Sequence, residues 1–145
     1  MSDLPFGIIV AGLGGLAIGV ERQWSGHATG PTARFGGIRT FTMLGIVAGL
    51  AGSLWSLGVA ALAVVLLASC SALVVAGYVA ASHTDVDATT EVGALVVIGA
   101  GTLAGLQFLA LSSALISVTA LILLEKSRLH ALIARLDDSE LTAAV

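Results

Sequence analysis

Residues 92–124 read V-G-A-L-V-V-I-G-A-G-T-L-A-G-L-Q-F-L-A-L-S-S-A-L-I-S-V-T-A-L-I-L-L, an apolar stretch of 33 residues without a single charge. A membrane-spanning helix needs roughly 17–25 residues, so this run is too long for one ordinary span. Gly105, Gln107, Ser112 and Ser113 sit near its middle. A break there predicts two helices, over 90–106 and 109–124. Charge placement checks that division independently. All six basic residues fall in two groups, Arg22, Arg34 and Arg39, then Lys126, Arg128 and Arg135. The positive-inside rule places both groups in the cytoplasm. Two helices in 92–124 give four crossings between the groups, an even number. One fused helix gives three and strands a basic group outside. The reading is five spans, with the N-terminus outside and the C-terminus in the cytoplasm.

Composition sets the class. Of 145 residues, 57% are hydrophobic and 10% charged, and the mean hydropathy is +1.05. A soluble domain carries about 25% charged residues, so this chain has too few to cover a water-facing surface. Eighteen glycines with only 5% aromatic residues suit closely packed helices better than a β-barrel of alternating polar and apolar positions. The expected fold is all-α, a polytopic membrane bundle of five helices followed by a short amphipathic helix. The lone Cys70 lies in an apolar run and packs as a small hydrophobe. Asp3, rather than basic residues, precedes the first apolar segment, which predicts a retained first helix and not a cleaved signal peptide.

The first span is predicted over residues 4–20, with Gly15 and Gly19 forming a small-xxx-small pair that admits a neighbouring backbone. It ends in Glu21-Arg22. A loop follows over 23–35, in which His27 is a solvated residue. Helices over 37–57 and 58–81 form an antiparallel hairpin, because only Ser56 and Gly58 mark the join; Gly45, Gly49 and Gly52 share a face of the first. The tail 125–145 places Leu129, Leu132, Ile133 and Leu136 among Lys126, Arg128 and Arg135, the pattern of an amphipathic helix on the inner membrane surface or of a continuation of the fifth helix. Residues 1–124 thus form the transmembrane domain, and 125–145 a cytoplasmic extension.

Two polar islands share the cytoplasmic side. The first carries Glu21, Arg22, Arg34, Arg39 and Thr40; the second carries His83, Asp85, Asp87, Thr90 and Glu91, with no Lys or Arg. Unpaired charge at a helix mouth is costly, so ion pairs between the islands are expected, with Glu91 matched to Arg22 or Arg39. Thr89 and Thr90 resemble a hydroxyl-capped helix start. A sharper reading is cation handling. His83, Asp85, Asp87 and Glu91 bring an imidazole and three carboxylates within nine positions, a donor set that suits a hard divalent cation such as Mg²⁺. The H-x-D-x-D spacing matches no strict metal loop, and no other cofactor is expected. No phosphate-cradling loop, nucleophile–base set or nucleic-acid surface is present in the sequence, so an enzyme is not expected.

G-G-L-A-I-G-V-E-R-Q at 14–23, followed by G-G-I-R-T-F-T-M-L at 36–44, resembles the MgtC/SapB family of bacterial inner-membrane proteins. The matching positions are Gly15, Gly19, Glu21, Arg22, Gly37, Arg39 and Thr40. T-T-E-V-G-A-L at 89–95 and L-L-E-K-S-R-L-H at 123–130 extend the likeness to a longer branch, in which a second membrane domain follows the five-helix one. This chain is similar to a half-length version. The resemblance implies magnesium homeostasis or small-ion transport in the inner membrane. It implies alternatively a non-transporting regulator that acts on a partner membrane protein through its Gly-rich helix faces. Besides the lipid bilayer, the expected partners are a second copy of the chain, as a homodimer, and a separate second membrane half.

Overall fold

The computed structural model describes residues 4–25, 36–82 and 88–125. Among these there are five helices and no strand: α1 (Leu4–Trp24), α2 (Ile38–Ser56), α3 (Ala60–Ala81), α4 (Thr89–Gly105) and α5 (Leu109–Glu125). The all-α membrane bundle expected from composition is the observed architecture. The first three helices have the length and apolarity to cross a bilayer, while α4 and α5 are shorter. The 17 residues of α4 rise about 25 Å, at the lower limit for a span.

The long apolar stretch breaks where Gly105 and Gln107 suggested, and the backbone shows why. Gln107 adopts φ 70°. Its N–H donates to the Ala104 carbonyl at 3.0 Å, and the Phe108 N–H donates to Leu103 at 2.9 Å. This pair of bonds with a left-handed residue is the Schellman ending, which satisfies the last carbonyls and reverses the chain. The α2–α3 hairpin closes identically around Gly58, at φ 81°: Gly58 donates to Trp55 and Val59 to Leu54. Glutamine in the glycine position is why the second turn is the less obvious of the two in the sequence.

Helices α1, α2 and α4 form the centre, and glycine lets their backbones touch. A methyl group on Gly45 would run into the Ala11 carbonyl, and one on Gly15 into the Phe41 carbonyl. Between α2 and α4, Gly52 faces the Thr102 carbonyl, Gly105 faces the Gly49 carbonyl, and Gly101 has Ala48 Cβ at 2.8 Å from its virtual methyl. The Ser53 hydroxyl, buried in the same seam, donates to the Gly49 carbonyl at 3.0 Å and reaches Gly105 at 3.5 Å. Such contacts replace the hydrophobic effect as the source of helix affinity within lipid.

The other two helices lie outside this centre. Helix α3 buries only Ala63, Cys70 and Val74, whereas Leu62, Val64, Val65, Leu73, Val75 and Val79 are exposed. Cys70 joins the apolar cluster with Ile18, Phe41, Val74 and Val97, as a free thiol. Helix α5 docks Ile116 over Gly14 and Leu123 over Gly93. Antiparallel succession brings the end of α1, the starts of α2 and α4 and the end of α5 together at one end, which bears the buried charges.

Two local expectations need correction. Helix α1 does not stop at Val20 but continues to Trp24, so Glu21 and Arg22 belong to its last turns. The hydroxyl cap predicted for α4 is absent: Ala88 occupies the cap position without a side-chain bond, and Thr90 is turned toward α1 instead. Residues 126–145, the expected amphipathic extension, lie outside the described residues.

Candidate functional site at the charged end of the bundle

Continuation of α1 past Val20 carries Glu21 and Arg22 into the contact with α2 and α4 rather than into a loop. Arg22 is 1% exposed and Glu21 6%. The guanidinium forks onto the carboxylate of its own neighbour, Nε donating to Oε2 at 2.5 Å and Nη2 to Oε1 at 2.9 Å. Adjacent helical residues ordinarily point away from each other, so this pair forms only because both side chains fold inward. A bidentate guanidinium–carboxylate contact is among the stronger polar interactions, and inside the bundle it leaves the two residues neutral together. From the remaining terminal nitrogen, Nη1 donates to the Thr90 hydroxyl at 3.4 Å, a long contact that links α1 to the first turn of α4.

Glycine at position 19 sets the height of this arrangement. A methyl there would lie 2.8 Å from Ile38 Cα and 3.1 Å from Phe41 Cβ, so only glycine lets α2 begin against the last turns of α1. Phe41 is fully buried beside it. Thr40 is half-buried and its side chain lies against Gly36, while the Thr42 hydroxyl returns to the Ile38 carbonyl at 2.7 Å.

Glu91 follows Thr90 in the first turn of α4 and is 4% exposed. Among the described residues, neither of its carboxylate oxygens has a hydrogen-bond partner. This overturns the expectation that Glu91 would pair with Arg22 or Arg39. The fork of Arg22 is committed to Glu21, and Arg39 is exposed in the first turn of α2 with no ion pair among the described residues. The described buried charges at this end are therefore Glu21, Arg22 and Glu91, which sum to one negative charge.

Among the described residues no three His, Cys, Asp or Glu side chains gather into a metal-sized group. Of the expected divalent-cation ligands, His83, Asp85 and Asp87 lie outside the described residues, and Glu91 alone lies within. Gly15, Gly19, Gly45 and Gly49 each meet a neighbouring helix, as described above. Gly101, Gly105 and Ser53 belong to the same seam, although sequence reading did not single them out for packing. The spacing of Gly101 and Gly105 was visible, but Gly105 had been read as part of the break between helices.

The chain matches the profile of the MgtC family over residues 8–132. No curated protein and no solved structure matches it. The matched region takes in Glu21–Arg22 and Thr90–Glu91 of the charged end, most of α1 and the whole of the other four helices. On that coverage this helical membrane protein belongs to the MgtC family.

Proposed function

We propose that the protein handles a small ion in the bacterial inner membrane, in magnesium or general ion homeostasis, and that the charged end of its bundle is the inner mouth of the site. Its orientation in this reading has the N-terminus outside and the C-terminus in the cytoplasm, as the basic residues demand. The observation that carries the proposal is the unpartnered carboxylate of Glu91 beside a self-neutralised Glu21–Arg22 pair. Ionisable groups buried in membrane helices are costly, and such a group is a functional-site candidate by default. Glycine contacts bring the backbones of α1, α2 and α4 together at several levels of the bundle. A path continuing from Glu91 runs instead between this centre and α5 or between two copies of the chain.

The closed centre also favours a second reading, in which the protein regulates a membrane partner and moves nothing. The glycine faces are then used up within the chain, so the partner would dock on the outer surfaces of α3 or α5. Reconstitution into proteoliposomes separates the two. Flux of Mg²⁺, K⁺ or H⁺ that falls in Glu91→Gln supports ion movement. No flux for any of these ions, with a membrane protein co-purifying in defined stoichiometry, supports regulation and ends the transport proposal.

A further inference from the structure

The charge that a ligand at Glu91 would carry follows from the described charges around it. This deepens the ion-handling reading at the same site and rests on it for the site's biological role. The described charged groups at this end are Glu21 and Arg22 on α1, Arg39 on α2, Glu91 on α4 and Glu125 on α5. Both Arg22–Glu21 contacts are short, so neither charge is left over for Glu91. Arg39 is exposed, and Glu125 has an interaction of its own. Glu91 is thus a carboxylate more than nine-tenths buried, with no hydrogen-bond partner on either oxygen among the described residues. The partial positive charge at the start of α4 eases this, but it amounts to only about half an elementary charge and gives the oxygens no donor.

We infer that Glu91 anchors a binding site for one univalent metal cation, of the Na⁺ or K⁺ class. One positive charge brings the buried set to zero. A divalent ion would leave it at plus one. Mg²⁺ also dehydrates reluctantly and keeps several waters in a near-octahedral shell, which a carboxylate only 4% exposed disfavours. A univalent ion sheds water more readily; beyond the two carboxylate oxygens, backbone carbonyls or retained water would complete its shell.

The test is cation-dependent stability of the purified full-length protein in detergent, at constant ionic strength, comparing NaCl, KCl, MgCl₂ and choline chloride. Wild type should gain stability saturably with Na⁺ or K⁺. At a hundred times the dissociation constant the unfolding equilibrium should shift about 100-fold. Choline and Mg²⁺ should give no saturable gain. Glu91→Gln should lose the response yet be at least as stable as wild type in choline, because the uncompensated charge is gone. If that variant fails to fold, Glu91→Asp serves, and its response should need a higher concentration of the same cation. Equal stabilisation by all four salts overturns the inference, as does a response to Mg²⁺ alone. A wild type indifferent to every cation overturns it too. Failure here is distinguishable from failure of the transport reading. Saturable univalent binding without flux keeps the site and removes transport, whereas flux without that binding keeps transport and removes the site.

Discussion

Alanine at Gly105 isolates the contact that fixes α4 against α2. The added methyl would point into the Gly49 carbonyl, with the carbonyl carbon and the Ser53 nitrogen each at 2.9 Å. All three are backbone atoms, so no side chain can rotate aside. Ordinary contact begins near 3.4 Å, and α2 must therefore recede by at least 0.5 Å (3.4 − 2.9). Recession loosens the whole seam, because Gly52 and Gly101 meet the partner helix just as closely. Overpacking of this kind costs about 1–3 kcal/mol. Against it stands the better helix propensity of alanine, worth about 1 kcal/mol. Gly99, on the same helix, removes that second effect. It is exposed and nothing lies within 4 Å of its virtual methyl, so Gly99→Ala registers propensity alone. The difference between the two variants should be about 2 kcal/mol, roughly thirty-fold in the folded-to-unfolded ratio. Reversible unfolding in mixed micelles, followed by Trp fluorescence, measures it. Equal stability of Gly105→Ala and Gly99→Ala would refute backbone contact as the basis of the α2–α4 interface.

Three further perturbations probe the charged end and the turns. Glu21→Gln removes the counter-charge of the nearly inaccessible Arg22 and one of its two acceptor oxygens, and an uncompensated buried charge should cost about 3–5 kcal/mol in the same unfolding assay. Arg39→Ala, by contrast, removes an exposed side chain with no ion pair among the described residues, so stability should stay within about 0.5 kcal/mol of wild type. A large loss there would mean that a carboxylate depends on Arg39 after all. Gly58→Ala forces a methyl-bearing residue into φ 81° without creating any contact, and should cost about 1 kcal/mol through backbone strain alone.

The fold was largely legible because it rests on signals that sequence carries directly. Apolar runs of spanning length, a parity argument from six basic residues, and glycine spacing on α1 and α2 all depend on local composition. The hairpin at Gly58 and the break near Gln107 could be read for the same reason. The pairing of charges could not. Which carboxylate Arg22 meets depends on how far α1 continues and how α4 is rotated against it. Neither quantity leaves a trace in periodicity. A pair between sequence neighbours also contradicts the spacing rule that guides the search for helical ion pairs. Helix α3 was opaque for a different reason. It is apolar on every side, so nothing in its sequence separated the Ala63–Cys70–Val74 stripe from the exposed valines and leucines around it.

The two unusual features, backbone-tight packing and an unmatched carboxylate, depend on each other. A helix free to rotate by a third of a turn would carry Glu91 out of the protein interior, toward water or headgroups at the charged end, and the burial cost would vanish. Helix α4 has no such freedom. Gly101 and Gly105 seat it against the α2 backbone, and Gly7 of α1 abuts the Ala104 carbonyl from the other side, so rotation would drive backbone into backbone. The Thr90 contact with Arg22 pins the near end. A charge held in this way differs from one that merely happens to be buried, because the packing energy of three helices opposes its escape. Hydrophobic side chains at the seam would tolerate rotation by repacking; glycines do not. The glycines of this small bundle therefore hold a buried carboxylate that has no partner among the described residues.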